Sequence, residues 1–355
     1  MNLKSKILVP HSRPTIDESE ILAVSGVLRS GNIAQGEMVG KFEQELARYI
    51  GVKGGVATAS GTTALHLALL ALNITDKDTV ALPSYVCTAV LNAVHYTGAT
   101  PLLIDIHPDT FNIDVYDLKK KLTARTKAVL VPHAFGLPAD MDEIMALGLP
   151  VIEDCAQSIG AAYNNKMAGS FGDISVFSFY ATKMMTTGEG GMVVSNSEEL
   201  LEKVRDLRDY CDRENYKIRY NYKMTDMQAS MGISQLKRLN QFIKIRQIIA
   251  QKYDAEFKNY CDLPINVSNK RSHLYYRYII KPHSESGSFL KLSKEKGINC
   301  ERPVFKPLHR YLNISGFSNT DAVWEKAVSV PIYPTLTEEE INKIIECVKT
   351  VSKRP

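Results

Sequence analysis

The sequence lacks the marks of several protein classes. None of its six cysteines forms a CxxC pair, and at 355 residues the chain needs no disulfide framework. The thiols are therefore expected to be reduced. No apolar run reaches the roughly 20 residues that cross a bilayer, and the opening stretch MNLKSKILVPHSRP has too short an apolar region for a signal peptide. The expectation is a cytoplasmic protein with no membrane partner. There is little excess charge of either sign: 43 basic and 39 acidic residues leave a formal net charge of +4. A nucleic-acid binder concentrates far more positive charge, so no nucleic-acid partner is expected. GxGxxG and Walker patterns are absent, as are internal repeats and low-complexity tracts.

What is present is an ordinary globular composition, 45% hydrophobic and 23% charged. Short β-branched runs alternate with helical patterns through the first two-thirds. The candidate strands are Thr79–Leu82, Pro101–Asp105, Ala128–Val131, Val151–Glu153, Ile174–Phe179 and Met192–Ser195. Segments long enough for crossover helices separate several of them. The pattern predicts an α/β fold with a mostly parallel sheet covered on both faces. Residues 62–72 (TTALHLALLAL) are apolar nearly all round, as in a buried helix. Thr225 and Gln228 have capping-box spacing and open a helix expected to run to about Lys258. That helix should link a large unit, residues 1–240, to a smaller α+β unit, residues 241–355.

Ligands in such sheets sit at the carboxyl ends of the strands, and four segments place reactive groups there. In SGTTALHLAL a Gly-Thr-Thr turn runs into a helix. The free N–H groups and dipole of a helix start favour a phosphate, although an ordinary N-cap explains the turn as well. In VIEDCAQ an apolar strand ends in Glu153 and Asp154. A carboxylate there suits a protonated pyridine nitrogen, and a capping aspartate is the competing reading. In SFSFYATKMMTTGEGG, Lys183 follows a strand, and a lysine in apolar company can attack an aldehyde as the neutral amine. Ser178 offers a hydroxyl to a phosphate, and the glycines read best as a tight turn. A solvated lysine is the alternative for Lys183 taken alone. In RYNYKMTDMQ, Asn221 precedes the long helix and could bond a phosphate or serve only the turn.

Taken together, order and spacing are far more specific than any one segment. The sequence resembles the DegT/DnrJ/EryC1/StrS family of sugar aminotransferases, of pyridoxal-phosphate (PLP) fold type I. The likeness runs from VPHSRPTIDESEILAVSGVLRSGNIAQG through ATASGTTALHLALLAL, VIEDCAQSIGA and SFSFYATKMMTTGEGGMV to ERPVFKPLH and Val330–Pro334. It implies that Lys183 holds the cofactor covalently and moves the proton. It implies that Asp154 pairs with the ring nitrogen and Gln157 meets the 3-hydroxyl. Thr62, Thr63 and Ser178 would bind the phosphate, and Asn221 would reach it from a second subunit of a homodimer. The implied amino donor is L-glutamate, and the implied acceptor is a keto sugar on a nucleotide diphosphate. Gly31, Asn32 and His309 match regions that face the substrate in relatives. No metal is implied.

Two departures bear on the substrate. Relatives carry a ring-stacking aromatic where this chain has Cys87, in PSYVCTAVLNAV. A thiol offers a much smaller face, which leaves Tyr85 or Tyr180 as candidate cover. Lys223 stands where relatives have arginine, keeping the charge without the planar fork. Lysine at 183, where deoxygenating relatives have histidine, favours aminotransfer. A cyclitol ketone or small keto phosphate remains a rival acceptor. A PLP-binding regulator without turnover is the rival class, and no basic recognition segment supports it.

Overall fold

The computed structural model describes residues 8–265 and 270–352. The first seven residues, part of the opening stretch discussed above, lie outside them. A seven-stranded sheet is built from β1 Gly54–Thr58, β2 Thr79–Pro83, β3 Thr100–Ile104, β4 Thr126–Pro132, β5 Val151–Asp154, β6 Ile174–Ser178 and β7 Gly191–Ser195. Their spatial order is β1-β7-β6-β5-β4-β2-β3. β3, β2, β4, β5 and β6 run parallel. β7 lies antiparallel to both β6 and β1.

Side chains alternate across this sheet because strand periodicity is two. Val80, Leu82, Leu130, Ile152 and Val176 pack on one face with the buried helix α3, Gly61–Ala71. Val129, Val131 and Val151 point to the other, as do Phe177, Met192 and Val194. Each fully buried aliphatic contributes about 1.5–3 kcal/mol. The parity has a consequence at the end of β5. Asp154 continues the Ile152 row, toward α3, and Glu153 continues the Val151 row, away from it.

The six strands expected from the sequence are present with ends shifted by one or two residues. β1 was not expected. Its sequence, GGVAT, opens on two glycines, which are poor strand formers. Packing explains them: a Cβ on Gly54 would come within 2.8 Å of Leu201 and one on Gly55 within 2.9 Å of Met192.

The long helix spans Asp226–Phe257, opened by the Thr225–Gln228 capping box. Its first half, through Ala229, Ile233 and Leu239, packs under the large sheet. Its second half, through Ile249, Tyr253 and Phe257, joins a separate core beneath a three-stranded antiparallel sheet. That sheet comprises Cys261–Asp262, Tyr278–Pro282 and Val328–Val330. The expected boundary at 240/241 falls inside this helix. Among the described residues, no helix is long and apolar enough to cross a membrane.

Candidate active site

A cavity of about 310 Å³ opens at the carboxyl ends of β5 and β6, between them and the start of α3. That is the low end of the range for small-molecule sites. Thr62, Asp154, Ser178 and Lys183 all line it, with Ser60, Cys87, Tyr180 and Glu189. Residues more than 120 positions apart thus converge on one space, as the sequence pattern required.

Each is placed by local structure. Ser60 caps α3, its hydroxyl accepting from the Thr63 N–H, and Thr63 reciprocates at the Ser60 N–H. The hydroxyl of Thr63 is therefore engaged in the cap, whereas Thr62 faces the cavity. The first N–H groups of α3 have no acceptor within the helix, and the positive end of its dipole lies there. Close approach is made possible by glycine. A Cβ on Gly61 would sit 2.7 Å from that of Ser178, and one on Gly191 would collide with the Ser60 carbonyl. The GEGG turn is thus a close-packing device as well as a turn, with Gly188 at φ 79°.

Asp154 is 6% exposed, and among the described residues its carboxylate accepts a single hydrogen bond, from the Ala156 N–H at 3.0 Å. Burial pushes its carboxyl above the usual range, against the pull of that bond, Lys183 and His133. A buried carboxylate with so little protein support is suited to a cationic partner supplied from outside. Lys183 is half-buried, and its Nζ stands 5.4 Å from the centre of the Tyr276 ring. Burial raises the Tyr276 phenol, but the cations Lys183 and Arg277, with a Thr182 hydrogen bond and Arg246, bring it below its ordinary value.

The other expected residues are distributed less simply. Gln157 is half-buried, and its carbonyl oxygen accepts from the Phe135 N–H at 2.9 Å. Asn221 is exposed and lies outside the cavity lining. Gly31 and Asn32 are exposed at the end of helix α1, Glu18–Ser30, and line a wide cleft of about 690 Å³ that also contains Asp226. Tyr85 is 3% exposed and packs between Phe111 and Phe135. It does not line the cavity, whereas Tyr180 does. His309 is equally buried, bonded through Nδ1 to Ser84 at 2.7 Å and stacked on Phe317. Its other nitrogen meets Asp321 at 3.2 Å. Thr182 and Tyr276 were not anticipated. Tyr276 lies 93 positions from Lys183, so no local spacing could reveal it.

One buried group has the residue types of a metal site: ligand atoms of His133, Glu153 and Cys155 lie within 4.8 Å of one another. Its oxygens and nitrogens are already committed. Glu153 accepts from Gly169, Phe171, Gly172, Ser175 and His133. His133 Nδ1 accepts from the Ala139 N–H, so Nε2 carries the hydrogen toward Glu153. Burial also pushes the Cys155 thiol up, which disfavours the thiolate a metal needs. The cluster is structural.

The residues fit pyridoxal phosphate. A helix start beside two hydroxyls suits its phosphate, a nearly unpartnered carboxylate suits its ring nitrogen, and an amine suits its aldehyde. Comparison with known proteins agrees. GDP-perosamine synthase of Vibrio cholerae is 32% identical over 96% of this chain and 98% of its own. The synthase of that name from Caulobacter vibrioides is 35% identical over 89% of this chain and 90% of its own. The aminotransferase PseC of Helicobacter pylori, which acts in pseudoaminic acid biosynthesis, superposes with a TM-score of 0.90 at 28% identity, over 97% and 98% of the two chains. The PLP form of a Streptococcus pneumoniae protein described as a putative sugar aminotransferase gives the same TM-score, identity and coverage. The family model for these enzymes matches residues 14–349. A site of this composition, on this fold, across this length, places the chain in the DegT/DnrJ/EryC1/StrS aminotransferase family.

Proposed function

We propose that the protein transfers an amino group from L-glutamate to a keto sugar carried on a nucleoside diphosphate, using pyridoxal 5′-phosphate. The observation that carries this reading is that the Lys183 amine and the Asp154 carboxylate share one cavity with the start of α3. When bound, the cofactor supplies an aldehyde that takes up the amino group and a ring that accepts carbanion electrons.

The residues divide the work by position. Lys183 would hold the cofactor through its aldehyde, and its amine is the group placed to take up and return the proton. Asp154 would keep the ring nitrogen protonated, and that charge would offset the burial that otherwise disfavours its ionised form. Thr62 and Ser178, with the first N–H groups of α3, bind the phosphate, and Thr63 holds that helix start in shape. Gln157 is assigned to the ring hydroxyl. Tyr180 is the candidate cover for the ring face near Cys87.

The active unit is proposed to be a cytoplasmic homodimer, with Asn221 of each copy reaching the phosphate site of the other. Two observations support this. Asn221 is exposed and outside its own cavity, and Ile16, Ile21, Leu22, Leu28 and Ile33 form an exposed apolar run along and beside α1. Gly31 and Asn32 border that surface and are assigned to the acceptor. His309 supports the acceptor side by fixing Ser84 at the end of β2. The relatives' names point to a nucleotide sugar.

A panel of ketones given to the aminated protein tests the acceptor. Faster turnover with nucleotide-linked keto sugars supports this reading. Turnover confined to cyclitol ketones or small keto phosphates would overturn it.

A further inference from the structure

Behind Lys183 lies a second, smaller cavity of about 160 Å³, walled by Thr182 and Tyr276 on the lysine side. Thr182 is the chain neighbour of Lys183, and Tyr276 presents its ring to the lysine amine. The opposite walls carry His11, Arg246, Arg277, Ser329 and one carboxylate, Glu301.

Two guanidiniums against the one carboxylate of Glu301 leave an excess of positive charge here. Arg246 is 4% exposed, and among the described residues no carboxylate pairs with it. One of its terminal nitrogens donates to the carbonyls of Tyr275, Tyr276 and Ile332. Among the described residues its Nε has no hydrogen-bond partner. The one ion pair of Arg277 among the described residues is distant, 3.9 Å to Glu301, whose side chain is 46% exposed. His11 adds no charge. Burial and then the two arginines hold it far below its ordinary value, to about 3. Arg277 instead donates to His11 Nε2 at 3.2 Å, and the Ser329 hydroxyl lies 2.8 Å from the same nitrogen. A buried guanidinium without a counter-charge is costly, and two beside one polar cavity make a site for a planar anion.

We infer that this cavity receives a carboxylate of the amino donor. The inference rests on the aminotransferase reading. The phosphate belongs at the α3 side of Lys183 and the ring carboxylate is Asp154, so the arginine cavity is left for an anion brought by the substrate. Its wall is the residue beside the reactive amine. Among donors, an amino acid with a second carboxylate can place one end at the amine and the other between the guanidiniums. A keto sugar diphosphate is too large for the space. Arg277 is a specificity residue by this assignment, and Arg246 provides the fixed positive charge behind it.

Glutarate, an unreactive dicarboxylate, probes the site without chemistry. Its binding to the cofactor-loaded protein is measured by calorimetry, for the wild type and for Arg277→Gln. Arg277 is half-buried and keeps part of its side chain in solvent, so this variant is expected to fold. The prediction is saturable binding that weakens about tenfold or more in the variant, the loss of one charged hydrogen-bonding partner. In the half-reaction followed by absorbance, kcat/KM for L-glutamate should fall by a similar factor. The return half-reaction with a keto acceptor should be unchanged. Arg246→Lys keeps the charge while losing the fork, and should show an intermediate loss. Equal glutarate affinity in wild type and Arg277→Gln, with an unaltered glutamate half-reaction, would overturn the inference. If glutarate binding depends on Arg277 but no amino acid ever converts the cofactor, the anion site stands and the aminotransferase reading fails instead.

Discussion

Glu153 and Asp154 are adjacent acids at the end of one buried strand, and the molecule treats them oppositely. Glu153 points to one face of the sheet and accepts five hydrogen bonds. Donors on that scale pull its carboxyl below the usual range despite burial, the largest single influence. Asp154 points to the other face, accepts one hydrogen bond, and is pushed up by burial. The first is a finished structural node that ties β5 to the Gly169–Gly172 turn. The second waits for a cation. Burial and acidity alone do not mark a catalytic carboxylate. The number of protein donors it already satisfies does.

The largest effect that separates the two faces should come from Lys183→Ala. It removes the amine beside Asp154 and should lower transamination about 10⁴-fold or more with the melting temperature little changed. Asp154→Asn should leave the protein folded and cofactor-bound but slow the glutamate half-reaction on the order of 10²-fold. Glu153→Gln should invert that pattern. The amide cannot accept from all the same donors, so unfolding by denaturant should show a loss of about 3 kcal/mol with chemistry retained in the folded fraction.

Acid should break the comparison in a defined direction. Glu153, with a lowered folded value, contributes stability above the ordinary glutamate value of 4.5, and that contribution is lost as pH falls below it. Asp154, with a raised value, works the other way in the cofactor-free protein. Its contribution is full below the ordinary aspartate value of 3.8 and is lost as pH rises through the elevated one. Unfolding titrations of the cofactor-free protein should therefore lose part of their acid sensitivity in Glu153→Gln and part of their sensitivity at higher pH in Asp154→Asn. The smallest effect belongs to Cys87→Ser. Cys87 is exposed at the cavity and caps α4, Thr88–Tyr96, without a side-chain bond. Turnover should stay within about twofold, since a small soft contact is exchanged for another small side chain.

Much of this was readable from the chain because strand parity and strand ends are local properties. The apolar runs located six of the seven strands, and the acids, lysine and Gly-Thr-Thr turn fell where parallel sheets place ligands. The unread part depends on distant partners. Glu153 and Asp154 are indistinguishable in VIEDCAQ, since the turn that satisfies Glu153 comes 16 to 19 residues later. Tyr85 reads as a pocket aromatic but is enclosed by Phe111 and Phe135, from loops that spacing cannot position. Arg246 sits in an amphipathic helix where an arginine reads as solvated. Only the return of the 276 and 332 segments buries it.

The most direct test of the central claim is the visible spectrum of the purified, cofactor-loaded protein before and after adding L-glutamate. The expected result is a yellow protein whose band converts to the near-ultraviolet absorption of the aminated cofactor, and Lys183→Ala should fail to convert at a comparable rate. A yellow protein unmoved by every amino acid, or conversion that proceeds equally without Lys183, would contradict it.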